Sequence, residues 1–149
     1  IEAGVRFLAR DHVALAEGSM GDESAIARAP SNGRRILLVD DSEIFRLTMG
    51  AILEDSGYQV TVAGSFAEGG ALLGTMTSDA VILDLELGDG YGVDLIPAIR
   101  AAMPNAVIVV MSGEDMKALP DNADLVLLKT LDPTSVLVKL ERALGVPIG

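Results

Sequence analysis

A doubly wound α/β sandwich built on five parallel strands follows from three features of the sequence. From Arg35 onward, short runs rich in Val, Ile and Leu alternate with segments of helical period, the layout of consecutive βαβ units. Those runs are apolar nearly throughout, as in strands covered on both faces. Half of the 149 residues are apolar, which is ample for a packed core.

The first strand is Ile36–Val39, and helical spacing then runs over Glu43–Asp55 until Gly57 stops it. Gln59–Ala63 is the second strand, followed by a helix over Phe66–Thr75 with Ser65 as its N-cap. Ala80–Leu83 is the third strand, and a helix over Gly92–Met103 ends at Pro104. The fourth and fifth strands are Ala106–Met111 and Asp124–Leu128. Between Ser112 and Lys129 the pattern is weak, and Glu114–Leu119 allows little more than one turn before Pro120, so the fourth helix is shortened. The last helix, Pro133–Leu144, has complete punctuation: Asp132 as N-cap, Pro133 at the first helical position and Gly145 just past the end. Leu137, Leu140 and Leu144 form its apolar stripe.

Residues 1–33 differ in texture, with three Arg against five acidic residues and a turn-rich close, Pro30-Ser31-Asn32-Gly33. Val5, Leu8, His12 and Leu15 share a face at helical spacing, which predicts a short amphipathic helix over residues 4–17 stopped by Gly18. Gly18-Ser19-Met20 reads as an expression scar behind a fused segment, or as part of a natural linker. The expected division is an N-terminal segment, 1–19, a linker, 20–33, a folded domain, 34–145, and a tail, 146–149. His12, the one histidine, lies on the apolar stripe and reads as structural. Phe7, Phe45 and Phe66, with Met49, Met76, Met103 and Met111, read as core and not as a cofactor box.

Composition excludes several classes of function. With 11 basic and 22 acidic residues the formal charge is −11, which repels phosphate backbones, and the basic residues after Gly33 are scattered; direct nucleic-acid binding is not expected. The longest apolar run, Ala106–Met111, is far too short to cross a bilayer, so no membrane insertion is expected. Absence of cysteine rules out disulfides, thiol nucleophiles and thiolate metal sites. No secretory signal pattern opens the chain, and a cytoplasmic location is expected.

In a doubly wound sheet, ligands collect beyond the carboxyl ends of the strands. Here the apolar runs lead into Asp40-Asp41, Asp84, Ser112 and Lys129. Taken singly, each has an ordinary structural reading as a cap, a turn residue or a solvated lysine. Taken together they are complementary. Carboxylates converging at one edge repel one another unless a hard divalent cation neutralises them, and Mg²⁺ suits such an oxygen site. A phosphate oxygen held beside a carboxylate exposes phosphorus to attack, and a lysine ammonium with a serine hydroxyl can bind the other phosphoryl oxygens. The pattern is that of a phosphoaspartate site.

The segments RRILLVDDSEIFR, AVILDLELGDGYG, VIVVMSG and LVLLK, in this order and spacing, resemble the receiver domain of two-component response regulators over about Arg35 to Gly145. The resemblance implies the flavodoxin-like receiver fold, with residues 34–145 as the receiver domain. It implies Asp84 as phosphoacceptor, Asp40 and Asp41 as the acidic pair serving Mg²⁺, and Glu86 as a further metal ligand through its backbone carbonyl. Ser112 corresponds to the hydroxyl that shifts toward the phosphoryl group, and Lys129 to its basic partner. The implied partners are a histidine kinase or histidine phosphotransfer protein and a downstream protein or output domain, with self-association left open. Autophosphorylation from small phosphodonors and autodephosphorylation are the only enzyme-like activities implied.

Three positions depart from the family pattern. Thr130 follows Lys129 where Pro is usual, and a trans bond is expected because a non-proline cis peptide costs about 2.5–4 kcal/mol. Val126 stands where strand five usually carries an aromatic switch. Gly88 replaces a frequent Pro in the loop after the acceptor and predicts a more mobile loop. Two alternatives remain: an atypical receiver-like interaction module signalling without phosphorylation, and a Mg-dependent phosphatase with an Asp nucleophile. Against the second, Asp84-Leu85-Glu86 offers Glu where such phosphatases want Asp. The stretch Gly88-Asp89-Gly90-Tyr91-Gly92 mimics a dinucleotide loop but follows the third strand and carries an Asp where pyrophosphate would approach; it reads as turn chemistry.

Overall fold

The structure is a computed structural model, and it describes residues 33–114 and 119–146. The helix expected over 4–17, His12, nearly all of the linker and the end of the tail lie outside those residues, as do residues 115–118 of the shortened fourth helix.

In chain order the elements are β1 (Arg35–Val39), α1 (Glu43–Asp55), β2 (Gln59–Ala63), α2 (Phe66–Leu72), β3 (Ala80–Asp84), β4 (Glu86–Leu87), β5 (Gly90–Tyr91), a 3₁₀ turn (Gly92–Leu95) running into α3 (Ile96–Ala102), β6 (Val107–Ser112), β7 (Leu125–Leu128) and α4 (Pro133–Leu144). Five strands pair in parallel in the order β2-β1-β3-β6-β7, while β4 and β5 form a separate antiparallel hairpin. The fold is the α/β doubly wound five-stranded sheet that the sequence predicts.

Alternation along the strands builds two cores. Ile36, Leu38 and Ile82 point with Val109 and Met111 to one face, where α1 supplies Met49 and Leu53 and α4 supplies Val136 and Leu140. Leu37, Val39, Leu83 and Val110 point to the other face and meet Leu95, Ile96 and Ile99 of the α3 region. Because both faces are covered, β3 is buried along its whole length.

The chain winds outward from β1 to β2 and then crosses back to β3 on the other side of β1, so the direction of winding reverses between β1 and β3. That reversal leaves a crevice beyond the carboxyl ends of the two strands. The pairing of Val39 with Leu83 brings the next residues, Asp40 and Asp84, side by side at its floor.

Several boundaries differ from the sequence reading. β3 and β6 run one residue further than expected, because Asp84 pairs in register with Met111 and Ser112 with Leu128; backbone pairing continues regardless of side-chain polarity. α2 ends at Leu72 instead of Thr75, where the amides of Leu73 and Thr75 turn to the carbonyls of Gly70 and Leu72. Glycines at 69, 70 and 74 make a longer helix costly there. The third helix starts as a 3₁₀ turn, and its α-helical part begins around Pro97, which needs no hydrogen-bonded amide. The β4–β5 hairpin was not foreseen.

Caps fasten the elements that carry the site. Ser65 Oγ accepts from the Glu68 amide at 3.0 Å as N-cap of α2, while Glu68 Oε1 accepts from the amide of Gly64, the residue before the cap, at 2.6 Å. Asp132 and Gly145 cap α4 as predicted, Gly145 in the left-handed conformation at φ 77°. At the opposite pole of the sheet, Arg100 donates to the carbonyls of Pro104, Ala106 and Asn122 and pairs with Asp124 at 3.2 Å, bracing β6 against β7. Arg34 Nη1 donates to the Leu144 carbonyl at 3.1 Å, joining the entry of β1 to the exit of α4.

Candidate functional site

The six candidate site residues, Asp40, Asp41, Asp84, Glu86, Ser112 and Lys129, lie at the carboxyl edge of the sheet. Asp40 follows β1 and is wholly buried, Asp41 beside it is exposed, and Asp84 closes β3 at 3% exposure. Ser112 closes β6, also buried, and Lys129 follows β7 half-buried. Glu86 opens β4 with its side chain exposed. An open cleft of about 820 Å³ is lined by Asp41, Asp84, Glu86, Gly88, Tyr91, Ser112, Glu114 and Lys129 among others, with Asp40 beneath it.

The three aspartates each present a carboxylate oxygen within 4.8 Å of the others. Asp40 Oδ1 accepts from the Ser42 amide at 2.8 Å, Asp84 Oδ1 from the Glu86 amide at 3.2 Å and Asp41 Oδ2 from the Gly88 amide at 3.2 Å. The remaining oxygens of the two inner residues, Asp40 Oδ2 and Asp84 Oδ2, are buried and receive no hydrogen bond. Lys129 Nζ lies 3.4 Å from the first and 3.0 Å from the second, close enough to pair with both as ions.

One ammonium against three carboxylates leaves net negative charge in a partly dry crevice. Burial pushes the Asp84 carboxyl up to about 6, with the neighbouring Asp40 charge adding to the rise and the Lys129 ammonium opposing it. Asp40 is also raised, again by burial first, against the pull of the Ser42 amide and Lys129. For Lys129, burial lowers the pKa, but Asp84 and Asp40 more than reverse it and the net shift is upward. Two buried carboxylate oxygens without hydrogen bonds, beside a third carboxylate, are a hard-oxygen donor set that fits a divalent cation such as Mg²⁺.

Backbone geometry sets Asp84 in place. The Gly92 amide donates to the Leu85 carbonyl at 2.7 Å, and a Cβ at Gly92 would collide with the Asp84 carbonyl oxygen; only glycine fits. Asp89 accepts from the amides of Phe66 and Ala67 at 2.7 and 3.1 Å, and these bonds hold its carboxyl below the usual range. With Gly88 bonded to Asp41 as well, the loop after Asp84 is tied on both flanks. Ser112 Oγ donates to the Glu114 carbonyl at 2.5 Å and accepts from its amide at 3.1 Å, so the hydroxyl is engaged with its own loop. The Lys129 amide donates to the Ser112 carbonyl at 2.8 Å, linking those two residues through the backbone. Cis peptide bonds are absent among the described residues, and Lys129–Thr130 is trans as expected. Val126 is half-buried against the second core.

Sequence reasoning missed three contributors. Arg46 Nη1 donates to the Asp40 carbonyl at 2.8 Å and packs on Gly64. Asp89 anchors the hairpin to α2, and the Phe45 ring lies 5.9 Å from Lys129 Nζ. Arg46 and Phe45 sit at helical positions whose partners come from elsewhere in the chain, and nothing in the local pattern marks them.

Carboxylates, a hydroxyl and an ammonium gathered at the carboxyl edge of a doubly wound parallel sheet define an α/β domain with an acidic, cation-accepting cleft. The chain belongs to the response regulator receiver domain family, whose sequence profile matches residues 36–141. Among curated proteins it is similar to the acid tolerance regulatory protein ActR of Sinorhizobium medicae, 36% identical over 90 residues, which is 60% of this chain and 46% of that one. It thus spans less than half of that relative's length. Among solved structures it is similar to a response regulator protein from Burkholderia pseudomallei with a phosphorylated aspartic acid, calcium ion and citrate, at 31% identity and TM-score 0.66, covering 77% of this chain and 76% of that one. Another is the response regulator TrrA of Thermotoga maritima in complex with Mg²⁺ and BeF, at 25% identity and TM-score 0.66, covering 73% and 97%. No helix among the described residues is long and apolar enough to cross a membrane.

Proposed function

We propose that this receiver domain accepts a phosphoryl group on Asp84 from the phosphohistidine of a histidine kinase or histidine phosphotransfer protein, in the cytoplasm, and passes the resulting change to a downstream protein or output domain. The observation that carries the reading is Asp84 Oδ2, buried at the base of an open cleft, free of hydrogen bonds and 3.0 Å from the Lys129 ammonium. An oxygen so placed faces a cation at ion-pair distance within a cleft open to solvent.

Asp40, Asp41 and Asp84 would hold Mg²⁺ through side-chain oxygens and Glu86 through its backbone carbonyl; bound there, the ion would neutralise the carboxylates and draw charge from the phosphoryl oxygens. The Asp84 carboxylate attacks phosphorus in line, the P–N bond to the donor imidazole breaks, and the imidazole leaves with the bonding pair and is reprotonated from solvent. Lys129 turns from Asp84 Oδ2 to a phosphoryl oxygen. Ser112 exchanges its bond to the Glu114 carbonyl for another phosphoryl oxygen, and because the Lys129 amide is bonded to the Ser112 carbonyl the two ends of the loop respond together. The acyl phosphate carries about −1.5 to −2 where the carboxylate carried −1, and that increase favours the new arrangement and shifts the loop population. Attack by water on phosphorus later releases inorganic phosphate and restores the carboxylate.

Incubation with acetyl phosphate and Mg²⁺ tests the reading. The expected result is an acid-stable, alkali-labile label on the parent protein that is absent from Asp84→Asn. A parent chain that takes no label from acetyl phosphate or any phosphohistidine donor overturns it.

A further inference from the structure

Four contacts close a ring beside the acceptor. Asp40 Oδ1 accepts from the Ser42 amide at 2.8 Å, Ser42 Oγ accepts from the Phe45 amide at 3.1 Å, the Phe45 ring centroid lies 5.9 Å from Lys129 Nζ, and Nζ returns to Asp40 Oδ2 at 3.4 Å. The first two contacts fix where α1 begins relative to the acidic pair. Phe45 is half-buried and packs on the first core, so its ring is presented at a set place. At this separation an ammonium is within reach of the ring quadrupole.

We propose that Phe45 is a positioning residue whose ring keeps the Lys129 ammonium beside Asp84 when the carboxylates are occupied. The proposal rests on the reading of Lys129 as the group that binds the phosphoryl oxygens. Its physical basis is competition. The ionic partners of Nζ, Asp40 and Asp84, are two of the three residues that fit a divalent cation. An ion placed among them repels the ammonium and takes up the negative charge that held it. The aromatic ring offers an attraction that leaves the carboxylate oxygens out of the exchange. Such an anchor matters because the backbone bond of Lys129 to Ser112 does not fix the ammonium, which ends a flexible four-carbon stem with 31% of its side chain exposed.

Leucine at position 45 keeps the apolar packing and removes the quadrupole, whereas tyrosine keeps both. The experiment compares the full chain with Phe45→Leu and Phe45→Tyr, each labelled with ¹³C-lysine and loaded with Mg²⁺. Ring current is expected to move the Lys129 ε-methylene protons upfield in the parent and in Phe45→Tyr, and the shift is expected to vanish in Phe45→Leu. Phosphorylation by acetyl phosphate at saturating Mg²⁺ is expected to slow about two- to fivefold in Phe45→Leu, the size of a partly exposed cation–π contact, and to recover in Phe45→Tyr. Lys129 resonances unchanged by Phe45→Leu, or equal slowing in both variants, overturn the proposal. If the parent takes no label, the phosphoacceptor reading falls, and the ε-methylene shift alone decides whether the ring holds the ammonium.

Discussion

Asp84 loses protons in the folded protein near pH 6, against an ordinary value of 3.8, because folding takes its carboxyl out of water beside another carboxylate. A folded-state pKa above the unfolded one means that the native state retains a proton the unfolded chain has already released. The stability due to this group is therefore complete below about pH 4, declines as pH rises, and is gone above about pH 6. At neutral pH the ionised Asp84 burdens the metal-free fold by up to about 3 kcal/mol, from roughly two pKa units at 1.36 kcal/mol each. Asp84→Asn is expected to stabilise the metal-free protein at pH 7 by about 1–3 kcal/mol and to flatten the decline between pH 4 and 6, leaving only the share of Asp40. Urea denaturation at pH 4.5 and 7 measures both. The positions of these residues were legible because each ends or follows an apolar run that a parallel sheet must bury. The direction of the Ser112 hydroxyl and the face of Phe45 toward Lys129 were not, since both depend on contacts between residues that no local pattern connects.

Among the elements, the start of α2 is tied to the loop after Asp84. It is capped twice, by Ser65 and Glu68 from its own segment and by Asp89 from the β4–β5 hairpin. Ser65→Ala is expected to cost about 1 kcal/mol, as loss of a serine N-cap commonly does. Asp89→Ala is expected to destabilise as well and to free the hairpin, and its effect carries a sign of its own. Since the folded-state pKa of Asp89 is depressed, its contribution is present above the ordinary value and fades as the solution becomes acid. The two variants should therefore diverge in their pH dependence, Ser65→Ala remaining level and Asp89→Ala approaching the parent in acid; thermal melts from pH 3 to 7 distinguish them. Ser65 was recognised as a cap from the sequence, as were Asp132 and Gly145. The hairpin escaped notice because strands of two residues show no periodicity, and α2 was read too long because Leu72, Leu73 and Met76 continue an apolar spacing that the glycines undercut.

For the whole molecule, the proposed Mg²⁺ site would couple cation binding to stability. With Mg²⁺ at about 100 times its dissociation constant, linkage adds about 2.7 kcal/mol to the folded state. Protons compete for the same oxygens: with a pKa of about 6, Asp84 is only about one-tenth ionised at pH 5. The same Mg²⁺ concentration is then expected to stabilise by roughly 1.4 kcal/mol or less, an affinity loss of about tenfold that calorimetric titration at pH 5 and 7.5 reads directly. The global fold was the most legible level of all. Continuous apolar strands leave few ways to arrange a sheet other than between two layers of helix, and the order of the polar residues at the strand ends then fixes which edge carries the chemistry.

The bond from Arg34 to the Leu144 carbonyl has a practical meaning. It places the arriving and departing chain together at the pole away from the cleft. A fluorophore or an affinity handle joined at Val146 is therefore attached at the end of the sheet opposite the cleft.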